Sequence, residues 1–280
     1  MSRRLLRVRN VLKAWSLLFG LTAVLGIVPL LTGNYRLLSI FIFCALLLAG
    51  AGYFYIDRIA LGMVGARELP RGEAPAFYST VERLAALAHV PMPKLYVLPD
   101  GYPRALSAGR GPRGSAIAVS RGLLGAATPA ELEGVLAHEL VHIRDRDVLI
   151  QSTVSVFAGA IVETSRIGGF LQRTLLFALG PLAAAIVSLF LSPKREFLAD
   201  AAAAELCNSP HGLADALIRL EQTGELVEFQ ASPATEPLYT INPFAEEGIA
   251  ALFVTHPPVA ERVRRLRALD PSWREKLRAA

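Results

Sequence analysis

The sequence predicts an α+β fold class, mainly helical, in which a folded domain with a small β-sheet is joined to membrane-spanning helices. Three observations lead there. The 280 residues are 53% hydrophobic and 19% charged, with a mean hydropathy of +0.42. That is more apolar than an ordinary soluble domain and more charged than a chain lying wholly in lipid. The apolar residues gather in two pairs of long runs, at 11–31 with 37–56 and at 148–162 with 170–191. Between and after these runs the pattern changes to short strands and amphipathic helices.

The first run is long enough to cross a bilayer, which takes about 20 residues. Five basic residues precede or enter it (Arg3, Arg4, Arg7, Arg9, Lys13), with no acid among them. The second run follows after Thr32-Gly33-Asn34-Tyr35-Arg36, so residues 1–56 read as a membrane hairpin. No cleavage site of the signal-peptide kind separates the two. A basic amino terminus predicts a cytoplasmic start, and two crossings return the chain to the cytoplasm near Asp57-Arg58. The net charge of +5 is therefore a topology signal, and no aromatic-rich basic stripe marks a nucleic-acid partner. Trp15 is expected at the membrane interface. Cys44 and Cys207, the only cysteines, imply no disulfide framework.

Residues 57–147 read as the first part of a catalytic domain. Phe77, Val81, Leu84 and Leu87 have helical spacing, and Pro91 and Pro93 end that helix. Residues 94–98, 104–109 and 115–120 read as strands, the last two joined by Arg110-Gly111-Pro112-Arg113-Gly114. Thr128-Pro129-Ala130-Glu131 is a strong helix start: an N-cap, a proline at the first helical position and a glutamate at the third. Residues 148–191 read as a second hydrophobic hairpin, embedded in the membrane or packed on the domain. Residues 192–280 supply the second part of the domain. It has helices at 192–206, 212–222 and 259–269 and a proline-rich loop at 228–244.

Inside the helix that Thr128 starts lies His138-Glu139-Leu140-Val141-His142. Residues four apart share one helix face, so His138 and His142 can bind one metal ion together. Glu139 can reach a water on that ion. Two imidazole ligands and a carboxylate base make the zinc-hydrolase arrangement. A catalytic zinc takes three protein ligands and keeps one position open. The third can come from His89, His211, His256 or an acid. Glu196 and Asp200 are four apart on one helix face, among Ala199, Ala201, Ala202, Ala203 and Ala204, which let two helices approach. Glu196 could ligate while Asp200 accepts the N–H of a ligating histidine. Spacing alone does not separate this from a surface acid pair beside Lys194 and Arg195.

The run from His138 to Asp147, followed by Arg195-Glu196-Phe197-Leu198-Ala199-Asp200-Ala201, resembles the HtpX family of membrane zinc metalloproteases, relatives of the CAAX prenyl endopeptidases. The resemblance extends to residues 116–124, to Thr255-His256-Pro257-Pro258 with Arg262, and to the amino-terminal spans. It implies a zincin-like domain and one Zn2+ per chain held by His138, His142 and Glu196. It makes Glu139 the general base, puts Asp200 behind a ligand, sets His256 near the substrate carbonyl and has Arg262 holding that segment. The family has Asn-Ala-Phe-Ala before a glycine on the strand above the metal. Here that stretch is Arg104-Ala105-Leu106-Ser107-Ala108-Gly109. Leu106, Ser107, Ala108 and Gly109 are the expected substrate-aligning residues, pairing with an extended peptide through the main chain. Arg104 would favour acidic substrates.

The expected function is membrane-anchored, zinc-dependent endopeptidase action on misfolded or membrane proteins at the cytoplasmic side. The partners are then polypeptide substrates and the lipid bilayer. Two alternatives stand beside it: a non-catalytic zinc-bearing membrane scaffold, and a CAAX-like prenyl-protein endopeptidase.

Overall fold

The computed structural model describes residues 8–17, 35–167, 184–224, 238–239 and 256–270, with Leu5, Gly20 and Pro181. Helix α1 covers residues 8–17 and α2 runs Tyr35–Met63. A four-stranded mixed sheet follows: β1 (Arg67–Glu68), β2 (Lys94–Leu98), β3 (Ala105–Gly109) and β4 (Ser115–Ser120), in the order β1-β2-β4-β3. Helix α3 (Pro75–Leu87) lies between β1 and β2. After β4 come α4 (Arg121–Ala126), α5 (Pro129–Asp145) and α6 (Asp147–Ile167). Helix α7 covers residues 184–190, and α8 (Lys194–Leu206), α9 (His211–Gly224) and α10 (Val259–Ala268) complete the order.

The fold is thus mainly helical around a small sheet. Strands β2 and β4 are parallel, and β3 is the antiparallel edge, with Leu106 opposite Ala118 and Ser107 opposite Ile117. The alternation expected of a one-sided sheet is absent, because every residue of β3 and β4 is buried. Helices cover one face, and α2 and α6 lie against β3 on the other.

Helix α5 is the axis of the domain, with α3, α8, α9 and β3 packed around it. Its start is a full capping box. Thr128 Oγ1 accepts from Glu131 N at 3.3 Å, and Glu131 Oε2 accepts from Thr128 N at 2.7 Å. Such a cap contributes about 1 kcal/mol. Gly134 and Gly212 let α9 press backbone against α5. A Cβ on Gly134 would meet Leu213 N at 2.5 Å, and one on Gly212 would meet Ala130 O at 2.3 Å. On another side Val141 packs against Ala199 and Ala202 of α8. Small residues thus bring α8 close enough to share a site with α5.

Among the described residues no helix is long and apolar enough to cross a membrane. Most of the expected spans at 11–31 and 170–191 lies outside the described residues. So does most of the loop expected at 228–244. Strand β1 and helix α4 were not expected from the pattern. The first is two residues long and the second six, both too short to show a period.

Candidate metal centre and active site

His138 and His142 occupy the last two turns of α5, and Glu196 occupies the first turn of α8. The ring Nε2 atoms of the two histidines are 3.0 Å apart. Glu196 Oε2 lies 3.3 Å from His138 Nε2 and 3.6 Å from His142 Nε2. All three side chains are buried. Three Lewis bases aimed at one point repel each other unless a cation or protons sit between them. Zinc with ligand bonds of about 2.0–2.1 Å at tetrahedral angles holds its ligand atoms roughly 3.3 Å apart. Neither Glu196 oxygen makes a well-formed hydrogen bond among the described residues, although the carboxylate is fully buried. A buried carboxylate with ion-pair neighbours but no well-formed hydrogen bond fits a metal ligand. The residues present therefore fit a divalent cation held by His138, His142 and Glu196.

Each histidine has a carboxylate behind it. His138 Nδ1 lies 3.0 Å from Asp200 Oδ1. His142 Nδ1 lies 3.2 Å from Asp147 Oδ2. Such partners fix the tautomer and turn the far nitrogen toward the metal. The two carboxylates are anchored differently. Asp200 receives a two-pronged grip from Arg262, whose Nε donates to Oδ2 at 2.8 Å and Nη2 to Oδ1 at 2.6 Å. Asp147 receives a hydrogen bond from the Asn10 amide of α1, which also donates to Asp145 O at 3.4 Å. That carbonyl lies in the last turn of α5, where the helix supplies no donor of its own. Asp147 and Asn10 carried no assignment from the sequence. Asp147 lies five residues after a histidine ligand, which is a usable signal; nothing local points from Asn10 to residue 147.

The charges are tightly balanced. Burial works to push the Asp200 carboxyl up, but Arg262 outweighs it and holds the pKa down at about 2. Burial works to lower the pKa of His142, yet Glu196 and Asp147 raise it to about 10. Burial also opposes charge on Glu196, and the neighbouring His256, His142 and Arg195 overcome it and hold that group well below its usual range. Without metal the site is therefore built to keep a proton among its ligands.

Glu139 is buried on α5 between the two histidine ligands, and Ser107 Oγ of β3 donates to its Oε2 at 2.6 Å. The edge strand thus touches the expected base directly. His256 Nε2 lies 3.7 Å from Glu196 Oε2, so this residue reaches the metal group from the far end of the chain. Arg262, six residues on, is wholly buried. On β3, Leu106 forms an antiparallel bridge with Tyr239, and Gly109 N donates to Ser152 Oγ at 2.9 Å. Leu106, Ser107 and Ala108 are all buried.

Arg104 requires a correction. The expectation that it reads acidic substrates assumed a free guanidinium. Its Nη2 pairs with Asp100 and its Nη1 donates to the Tyr239 hydroxyl at 2.9 Å, while the group stacks on the Tyr239 ring. It is only 7% exposed, and these partners occupy the charge. His211 bonds Asp270 at 3.0 Å and His89 closes α3, so neither joins the metal group.

Two imidazoles four apart on one helix, a glutamate from a second helix and a further carboxylate beside them, held by Ser107, define a metal-dependent hydrolase. The family description Peptidase family M48 matches residues 73–270. A "Protease HtpX homolog" of Pelotomaculum thermopropionicum is 40% identical over 278 residues, covering 93% of this chain and 99% of that protein. One from Thermococcus sibiricus is 37% identical, covering 92% and 95%. The crystal structure of S. mikatae Ste24p shares 21% identity with a TM-score of 0.49, over 93% of this chain and 66% of that one. The chain belongs to peptidase family M48 and is a metallopeptidase. That assignment decides against the non-catalytic scaffold.

Proposed function

We propose that the chain is a zinc endopeptidase anchored in the cell membrane by several spans. Its amino terminus and catalytic domain lie on the cytoplasmic side, and its substrates are misfolded or membrane polypeptides. The observation that carries the chemistry is the convergence of the buried side chains of His138, His142 and Glu196 on one point, with Glu139 beside them. The membrane reading is supported by α2, where Ile40, Phe43, Leu47 and Phe54 are each at least 58% exposed. Large apolar side chains in a row on one long helix need lipid or a partner. The basic residues before and within α1 set the orientation.

When bound, zinc supplies Lewis acidity, which polarises a carbonyl and acidifies water. The remaining work belongs to side chains. Glu139 takes a proton from the attacking water and returns it to the leaving amine. Ser107, donating to Glu139 Oε2, holds that carboxylate in line with β3. An extended substrate pairs along Leu106, Ser107, Ala108 and Gly109, so the Tyr239 bridge at Leu106 opens to admit it. His256 stabilises negative charge at the scissile carbonyl. Arg262 and Asp200 hold His138 and the His256 segment in place.

The test is Glu139→Gln. This variant is expected to keep one zinc per chain while cleavage of an unfolded casein substrate falls by on the order of 10²–10⁴. Full cleavage by the variant would remove Glu139 as the base.

A further inference from the structure

Next to the metal centre a cavity of about 460 Å³, walled by apolar as well as charged side chains, opens between α1, the end of α7 and the start of α8. Four cations line it: Arg9, Lys13, Lys194 and Arg195. Two carboxylates, Asp145 and Asp147, also face it, and both are already engaged. Asp145 takes two bonds of 3.1 Å from Arg144, and Asp147 takes His142 and Asn10. Of the cations, Lys13 donates to Phe190 O at 2.9 Å. The Arg195 side chain is only 11% exposed and its Nε lies 3.2 Å from Glu196 Oε1. Its Nη1 and Nη2 are buried without a hydrogen-bond partner among the described residues.

This is a poor arrangement for a protein to hold for its own sake. A buried guanidinium retains its charge and wants planar, two-pronged acceptors. Lys194 and Arg195 also stand in the first turn of α8, where the helix dipole disfavours cations and favours an anion. A tetrahedral oxyanion answers both problems, since Arg and Lys together bind phosphate through charge-assisted hydrogen bonds.

We infer that this cavity is a binding site for a phosphate group, supplied by the headgroup of an anionic membrane lipid. The chemistry of the site stands on the cations and the cavity. The lipid as source rests on the membrane reading given above. It agrees with the aromatic pair at the same level of α1, where Trp15 stacks on Tyr53 at 5.4 Å between centroids; such rings mark the headgroup region. Arg195 precedes the metal ligand Glu196 and touches its carboxylate. A lipid phosphate on Nη1 and Nη2 would therefore sit one residue from the metal centre and tie its α8 side to the membrane surface.

The test uses the full chain in a non-ionic detergent, titrated with fluorescent phosphatidylglycerol, with phosphatidylcholine and with inorganic phosphate. Saturable binding of phosphatidylglycerol is expected, weakened about tenfold by Arg195→Gln and about fivefold by Lys13→Gln. Lys13→Gln lies away from the metal ligands, so it keeps the test open if Arg195→Gln does not fold. Preference for phosphatidylglycerol over inorganic phosphate assigns the lipid source. Equal affinity for both keeps the phosphate site and removes the lipid. No binding of either anion above phosphatidylcholine, or folded variants that bind like wild type, overturns the site. A wild type that binds the lipid but neither zinc nor casein would sink the hydrolase reading and leave this one standing.

Discussion

His138 and His142 are equivalent in sequence and not in structure. Both sit on α5, both point Nε2 at one spot and both have a carboxylate behind them. Behind His138 stands Asp200 with Arg262, a fully buried ion pair from the carboxy-terminal helices α8 and α10. Behind His142 stands Asp147 with the neutral Asn10 amide, from the junction of α5 and α6 and from the amino-terminal helix. One ligand is held by the enzyme domain and the other by the helix that is read as entering the membrane. The metal centre is therefore assembled from both ends of the chain, and the two supports should fail differently.

The largest expected effect is on the charged side. Arg262→Leu leaves Asp200 as a buried carboxylate without its cation, which costs about 3–5 kcal/mol. Denaturant unfolding of the zinc-free protein measures this. The double variant Arg262→Met with Asp200→Leu should recover most of the stability while zinc affinity stays low, because His138 has lost its partner. Recovery of both would mean that the pair only packs and does not orient His138.

The neutral side gives a smaller and more specific effect. Asp147→Ala is expected to weaken zinc binding about 10–100-fold in competition with a chromophoric chelator. Asn10→Ala acts one bond further away, so about three- to tenfold is expected. Introduced into the Asp147→Ala background, it should cost nothing more. Lys13→Ala loosens the same helix through its bond to Phe190 O and serves as the control for general docking. An equal loss in that control would remove the special role of Asn10.

The smallest contrast is in pH. Asp200 is held down at about 2 from 3.8. Its folded pKa lies below its unfolded one, so its contribution is complete above about pH 4 and disappears as pH falls toward 2. His142 is shifted the other way, from 6.5 to about 10. In the zinc-free protein that contribution is complete below pH 6.5 and is lost as pH rises toward 10. Zinc must displace that proton, so its apparent affinity should climb about tenfold per pH unit across neutrality. Chelator competition at a series of pH values measures the slope. A flat profile would mean that His142 is already neutral.

What the sequence revealed follows the same division. The start of α5 was legible because the capping box Thr128 to Glu131 is a local device. Strands β2 and β4 showed as short runs between turn formers. The pair His138 and His142 was legible because helix geometry translates a spacing of four into one face. Glu196 stood out only through its own spacing from Asp200 and the alanines around it, and the family resemblance chose it over His89, His211 and His256. Nothing local could connect Asn10 to Asp147, or Tyr239 to Leu106 and Arg104, because such contacts depend on how distant segments dock. Arg104 shows the cost: the sequence suggests a side chain that favours acidic substrates, and the fold gives its charge to Asp100 and Tyr239 instead.

The central claim is that a glutamate far along the chain completes a metal site begun by two histidines on α5. The most direct measurement is the zinc content of purified Glu196→Ala beside wild type and Glu139→Gln, after dialysis against a weak chelator. Wild type and Glu139→Gln should each retain one zinc per chain, and Glu196→Ala should lose it. Full retention by folded Glu196→Ala would contradict the assignment of the third ligand.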